Sequence, residues 1–297
     1  MRDRPKLDLV HGTVLVQFCN WIGHLSDVLR GKVFADVLKQ IATLDAGARG
    51  MPLAALASAI PHLPKDEVTA AFNMVLTHVL ALDGDPRGRP LAALSSAIWS
   101  LPYDRRGGAF DTVLSQVSKL DAAARSDVLC ALSSVIYRLP EGDRTATLNA
   151  VLMHVCALDG DARGKPLAAL YEAIPSLPQD TVAAAFNRVL KQINALDAAA
   201  RAEVFSRVPP RIGSLPEGNR TAAFNTVYES ILTLDAGIRG APLVTLADSI
   251  SSLRVDDREA AFYAMLKQTD TLNAEYKRDL LHKLALQAHR LLGAAAA

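Results

Sequence analysis

A Leu-Asp pair returns every 38 residues along this chain, at Leu44-Asp45, Leu82-Asp83, Leu120-Asp121, Leu158-Asp159, Leu196-Asp197 and Leu234-Asp235. Leu272-Asn273 is a softened seventh copy in the same register. A Leu-Pro pair keeps the same interval through Leu63-Pro64, Leu101-Pro102, Leu139-Pro140, Leu177-Pro178 and Leu215-Pro216. No insertion or deletion breaks the phase. A fixed period of this length marks stacked supersecondary units, and it constrains the fold more than any local motif. Units of this kind cannot bury an apolar face alone, so neighbours must stack.

One period, 45–82, reads as two short helices, A and B. Asp45 stands where an N-cap belongs, and Arg49 is four residues on, an i,i+4 pair that supports a first turn or clips one repeat to the next. The pair recurs at Asp83/Arg87, Asp121/Arg125, Asp159/Arg163, Asp197/Arg201 and Asp235/Arg239. Gly50-Met51-Pro52 follows. Because Pro suits a first turn and damages an interior, the main body of helix A is expected to start near Pro52. Leu53, Leu56, Ile60 and Leu63 give it an apolar stripe at helical spacing. Beyond Leu-Pro, Asp66, Asp104, Asp180 and Asp256 are expected to cap helix B, with Gly142 and Gly218 in the other copies. Helix B carries Phe72, Val75, Leu76, Val79 and Leu82 on one face. Its Phe column runs through Phe34, Phe110, Phe186, Phe224 and Phe262, with Leu148 standing in once.

The expectation is an all-α chain, a right-handed α-solenoid (superhelix) of 38-residue helical hairpins. Residues 1–44 form a degenerate N-terminal capping repeat, 45–272 six hairpins and 273–297 a C-terminal capping helix. The copies at 121 and 197 resemble each other, as do those at 83 and 159, so a 76-residue pair of hairpins overlies the basic period. Gly107-Gly108 is a local irregularity in one helix B.

Composition agrees. Half the residues are hydrophobic and 5% aromatic, dominated by the strong helix formers Ala and Leu. Lys plus Arg number 32 against 31 Asp plus Glu, a net charge of +1 that disfavours a nucleic-acid backbone as the ligand. Cys19, Cys130 and Cys156 are odd in number and lack metal-ligand spacing, so they read as small buried hydrophobes in a reducing compartment. No run approaches the ~18 to 20 apolar residues that span a bilayer, and no secretory signal is present. A soluble monomer without membrane insertion is expected.

Chemistry-bearing patterns are missing. His11, His24, His62, His78, His154, His282 and His289 form no His-x-x-x-His pair. His282 and His289 share a helix face without a third ligand nearby. The glycines fall in turns rather than a phosphate loop, and no Gly-x-Ser-x-Gly appears. Six equivalent acids do not make the one special environment that catalysis needs. The reading is of a protein that is not an enzyme and has no cofactor or metal.

The most suggestive polar column follows the Phe column by one residue: Asn73, Asp111, Asn149, Asn187 and Asn225. Asn is a mediocre helix-interior residue, so its recurrence asks for a reason. Two reasons stand open. The column lines a partner surface, or it faces the flank of the next repeat formed by His78, Gln116, His154, Gln192 and Ser230 and hydrogen-bonds there. Positions opposite the core, Arg188 and Lys191 among them, vary freely, as a recognition surface requires. In the hairpin at 197–234, the sixth if the N-terminal capping repeat is counted, Arg207-Val208-Pro209-Pro210-Arg211 replaces the apolar stripe and is expected to break or kink helix A. Arg201, Arg207, Arg211 and Arg220 gather positive charge there, as a hinge, an acidic-partner site or drift.

This pattern resembles the HEAT and armadillo superfamily of helical-repeat proteins. Leu-Asp-Ala-x-x-Arg-Gly-x-Pro-Leu and Leu-Pro-x-x-x-Arg-x-x-Ala-Phe-Asn-x-Val-Leu are also similar to repeats of type III secreted effectors of plant-associated proteobacteria, the Skwp-type group. The armadillo resemblance implies that Asn73, Asn149, Asn187 and Asn225 grip the backbone of an extended peptide, with Asp111 lacking the donor. The effector resemblance implies synthesis in a bacterial cytoplasm, delivery into a eukaryotic host cell and a host protein partner. A modular nucleic-acid reader is the alternative, against which the near-zero charge stands.

Overall fold

The computed structural model describes the backbone of residues 4–207 and 211–295, and the side chains of 11–84, 86–160, 162–207 and 211–288. Every regular element among the described residues is helical. The chain divides into two compact units, Met1–Leu158 and Asp159–Ala297, so the boundary falls inside a Leu-Asp pair. No helix among the described residues is long and apolar enough to cross a membrane.

The first unit holds α1 (Arg4–Trp21), α2 (Asp27–Thr43), α3 (Ala46–Ala59), α4 (Val68–Leu80), α5 (Gly88–Ala97), α6 (Arg106–Leu114), α7 (Ala122–Ser133) and α8 (Glu141–Cys156). The odd-numbered members are A helices and the even-numbered ones B helices. Here α1 packs on α3, α3 on α5 and α5 on α7, while each B helix leans on its own A helix. The second unit holds α9 (Gly164–Ala173), α10 (Gln179–Asn194), α11 (Ala198–Arg207), α12 (Glu217–Leu232), α13 (Gly240–Ala247), α14 (Val255–Gln268) and α15 (Ala274–Ala295). There α9 packs on α11, α11 on α13 and α13 on α15. Within each unit the helices thus pair in sequence and stack two apart, as a repeat does.

The A layer is the tighter of the two, and small residues permit it. A Cβ on Gly50 would stand 2.6 Å from the Pro86 carbonyl oxygen, and one on Gly88 would stand 2.4 Å from the Ala124 Cβ. Both distances lie inside van der Waals contact, so only Gly lets these backbones approach. B helices meet the next B helix along far less of their length.

The corner from A to B repeats as faithfully as the motifs. Ile22, Ile60, Ile98, Ile136, Ile174, Ile212 and Ile250 are each fully buried in a short 3-10 turn. The Leu three residues on donates its N–H to the Ile carbonyl at 3.0–3.1 Å in every copy. That Leu is extended, as the residue before Pro prefers; Leu101, for example, has ψ 154°. The Phe column forms the core: Phe34, Phe72, Phe110, Phe186 and Phe224 are each 1% exposed. Burying one such ring stabilises by roughly 1.5–3 kcal/mol. Phe262 is only half-buried.

Three local expectations need correction. Helix A does not wait for Pro52: α3 begins at Ala46 and carries Pro52 inside it, while α5, α9 and α13 begin at the Gly two residues before Pro. Helix B is not capped by the acids or the glycines. In α8, α10 and α12 the Leu-Pro proline itself is the N-cap, which leaves Asp180, Gly142 and Gly218 inside the first turn. For α4, α6 and α14 the cap is Glu67, Arg105 and Arg254 instead of Asp66, Asp104 and Asp256. No side chain makes a cap bond at any of these six starts; an acid in the first turn acts on the helix dipole.

The third correction concerns the recurring Asp/Arg pair. Arg49 Nε donates to the Leu44 carbonyl at 2.6 Å, and Arg125 Nε to the Leu120 carbonyl at 2.6 Å. Arg87 Nη2 reaches the carbonyls of Leu80 and Leu82. Each guanidinium therefore passes its aspartate and satisfies carbonyls at the end of the preceding B helix, which an α-helix leaves unpaired. Asp121 and Asp197 do cap helix A, accepting from Ala124 and Ala200 N–H at 2.8 Å. The softened copy keeps this function, since Asn273 Oδ1 accepts from Tyr276 N–H at 3.0 Å. α15 then buries Leu280, Leu284 and Gln287 on one face.

Candidate partner-binding surface

The B helices carry every position singled out for binding except Arg207 and Arg211. On α4 and α6, Asn73 and Asp111 are exposed. Asn149 on α8 is half-buried, and Asn187 on α10 and Asn225 on α12 are exposed. Arg188 and Lys191 are exposed on α10. Core and column sit on one helix because Phe72 points inward and the next residue turns by about 100°. The column is thus pinned in place by a buried ring one position away.

The flank opposite bonds between hairpins in the second unit. Ser230 Oγ donates to Asn194 Oδ1 at 2.5 Å, linking α12 to α10. Gln268 Nε2 donates to Tyr228 Oη at 3.1 Å, and that hydroxyl donates to the Ala264 carbonyl at 2.9 Å, tying α12 to α14. Burial pushes the Tyr228 phenol up, and the Gln268 hydrogen bond offsets part of the effect. Asn194, Tyr228, Ser230 and Gln268 make these cross-links between B helices.

Each unit has an open groove beside a B helix, and each groove contains a member of the Asn column. In the first unit it encloses about 300 Å³ and is lined by Thr69 and Asn73 of α4 and by Asp104, Arg105, Gly108 and Thr112. The irregular Gly107-Gly108 pair explains its width: α6 is short and opens with a 3-10 turn, and Gly108 presents no side chain. In the second unit the groove encloses about 610 Å³ and is lined by Asn194, Arg201, Asn225, Thr226, Glu229 and Thr233. Amide, hydroxyl, carboxylate and guanidinium face one space there. Such a set can pair with a peptide group and with a charged side chain at once.

The arginines of the hairpin at 197–234 do not act together. Arg207 pairs with Glu203 at 2.9 Å, and Arg201 Nη1 turns to the Asn194 carbonyl at 3.5 Å. Arg220 is half-buried on backbone carbonyls, and Arg211 is exposed. α11 is described to Arg207 and a 3-10 turn from Arg211; Val208, Pro209 and Pro210, where the break was expected, lie outside the described residues. His289 is likewise outside the described side chains. Cys19 is buried, and Cys130 and Cys156 are half-buried. No group of acids, histidines and cysteines among the described residues could hold a metal ion.

Sequence reading quoted the arginine of Leu-Pro-x-x-x-Arg but gave the column no role between hairpins. Arg106 Nε donates to the Leu101 carbonyl at 3.0 Å and its Nη1 to the Arg138 carbonyl at 2.7 Å. Arg220 does the same to Leu215 at 2.9 Å and Ser252 at 3.2 Å, and Arg30 Nη1 meets the His62 carbonyl at 3.1 Å. One guanidinium thus grips the A-to-B corner of the next hairpin, and in Arg106 and Arg220 that of its own as well. The signal was available: Arg30, Arg106, Arg144, Arg220 and Arg258 share the 38-residue phase. Buried Val68 and Val182 hold the two remaining places.

Comparison with family models, with curated proteins and with solved structures finds no match. The likeness to HEAT and armadillo repeats, and to effector repeats, therefore rests on the motifs and on the paired all-α packing.

Proposed function

We propose that the chain is a non-enzymatic right-handed α-solenoid that holds an extended segment of a partner protein along its B helices. The observation that carries this reading is the placement of Asn73 and Asn225. They stand at the same repeat position in different units, and each lines the groove of its unit. Neither side-chain amide hydrogen-bonds to the protein among the described residues. An amide offers one donor pair and one acceptor, which matches a peptide group. Helices pack roughly 8–10 Å apart and an extended chain rises about 3.3 Å per residue. Successive column residues therefore meet about every third residue of a bound segment.

The test is selection of binders from a displayed peptide library on the full chain, compared with the triple variant Asn73→Ala, Asn187→Ala, Asn225→Ala. Circular dichroism and thermal melting establish that the variant folds. Each lost amide contact is worth about 1 kcal/mol, so affinity for selected peptides falls by more than roughly tenfold in the folded variant. Peptides that bind the folded variant undiminished would place the surface elsewhere, and enrichment of no peptide would remove the reading.

A further inference from the structure

The A-to-B corners of the first unit carry an aromatic and guanidinium cluster that the scaffold does not require. Trp99, Tyr103 and Tyr137 are 42%, 55% and 47% exposed. The Arg138 guanidinium lies over the Trp99 ring at 5.7 Å and over the Tyr137 ring at 4.6 Å. The Arg106 guanidinium lies over Tyr103 at 5.5 Å, and its Nη1 holds the Arg138 carbonyl at 2.7 Å. These contacts join five residues of two successive hairpins into one connected patch.

The repeat supplies its own control. At the position of Trp99 and Tyr137 the other hairpins have Pro61, Pro175, Gly213 and Ser251. At the position of Arg138 they have His62, Ser100, Ser176, Ser214 and Ser252. The same corner, with its Ile turn and Leu N–H bond, forms at those sites without an aromatic or an arginine. The cluster is thus additional to folding, and leaving two large rings and a Trp in water is unfavourable unless something covers them.

We infer that this corner patch docks an acidic segment of a partner protein, with a carboxylate on Arg138 and an apolar neighbour against Trp99 and Tyr103. Charge complementarity selects the occupant. Arg105 has Asp104 at 3.4 Å, and Arg106 is committed to carbonyls. Arg138 has no carboxylate partner among the described residues, and its side chain is held only by ring faces. Its planar fork is therefore fixed in direction and open to a bidentate carboxylate. A bound segment would also desolvate the cation–ring contacts, which strengthen on leaving water. Trp, Tyr and Arg are the residues that dominate interface hot spots. A nucleobase would have to displace the guanidiniums from the rings in order to stack, which favours the peptide. The patch lies on the hairpin corners and adjoins the first-unit groove at Asp104 and Arg105, but none of its five residues lines that groove.

The chain has only two tryptophans, so Trp21→Phe leaves Trp99 as the sole tryptophan reporter. Peptides selected from a displayed library on that variant are expected to be rich in Asp and Glu beside an apolar residue and to shift the Trp99 emission. Arg138→Glu weakens them by roughly tenfold or more while the melt is unchanged, and Asn73→Ala with Asn225→Ala leaves them as they were. Loss through the asparagines with no effect of Arg138 assigns the peptides to the groove and overturns the patch. Selection of neutral or basic peptides overturns it too, as does a single-stranded RNA oligomer that shifts Trp99 more tightly than the peptides do.

Discussion

Arg220 on α12 and Ser252 at the next corner are joined through one hydrogen bond, Nη1 to the carbonyl at 3.2 Å, across 32 residues of sequence. Its Nε holds the Leu215 carbonyl at 2.9 Å, so one planar group fixes the orientation of two hairpins. Arg220→Ala leaves both carbonyls without this donor and is expected to cost about 2 kcal/mol. Arg220→Lys restores less than half, because a point charge cannot span both acceptors. Arg220→Val is milder than Ala, since Val68 and Val182 already fill that position in buried form. Urea midpoints of the three variants rank them.

The close A layer makes a second, opposed pair of predictions. Gly50→Ala forces a Cβ to 2.6 Å from the Pro86 oxygen, a backbone atom that cannot swing aside. It is expected to destabilise by about 1–3 kcal/mol, as overpacking does. Gly142→Ala in the first turn of α8 meets nothing within 4 Å and is expected to stabilise by up to about 1 kcal/mol. Thermal melts moving in opposite directions would bear out the packing.

Burial pushes the Cys19 thiol up to about 12, with its own backbone contact pulling weakly the other way. The folded state therefore keeps its proton where the unfolded state has lost it. Stability from this site is complete below the ordinary thiol range near about 8.5 and is lost as pH rises from there toward the folded value. Cys19→Ala flattens that part of the alkaline decline in denaturant midpoint. A thiol reagent at pH 8 labels the half-buried Cys130 and Cys156 ahead of Cys19.

Tyr171 is 1% exposed, and among the described residues its hydroxyl makes no well-formed hydrogen bond, only an approach from the Arg211 backbone. It occupies a position filled by Ala57, Ser95, Ser133 and Ala247 elsewhere, and its ring packs on Phe186 at 5.4 Å. The two serines bond their own helix, Ser95 to Leu91 and Ser133 to Leu129 carbonyls at 2.7 Å, which a phenol cannot imitate. Burial pushes the phenol above its ordinary value. Tyr171→Phe keeps the ring and removes a buried hydroxyl that is poorly bonded, so stability is expected to hold or rise by about 1 kcal/mol. It also removes a loss of stability above about pH 10, where the unfolded phenol ionises first. Melts at pH 7 and pH 10.5 separate the two effects.

Period, helix pairing and core were legible because they depend on which positions are apolar, and Phe72 or Leu53 can be placed by spacing alone. Helix starts were less so. Asp66 and Asp180 have the right chemistry for a cap, yet the chain direction set by Leu-Pro decides where the helix begins. Arg49 was read against Asp45 because both are charged and four apart, whereas its partner is the Leu44 carbonyl, a backbone atom that no sequence pattern displays. The groove at Asn225 needed Asn194 and Arg201 from two other helices, and only the fold brings these together. The Trp99 patch stayed hidden because all its members but Arg106 lie outside the motifs, at places where most repeats hold nothing of note.

The arginine clip accepts any residue at its far end, since His62, Arg138 and Ser252 each offer the same carbonyl. What it does not accept is a change in the 32-residue separation, which would carry that carbonyl out of reach. Such a contact measures the length of the chain and is indifferent to its spelling. Over evolutionary time a lineage built this way can rewrite its surface letter by letter while every insertion or deletion is removed. Diversity should therefore accumulate as substitutions and as gain or loss of whole 38-residue periods, the one length change that returns each arginine to a corner.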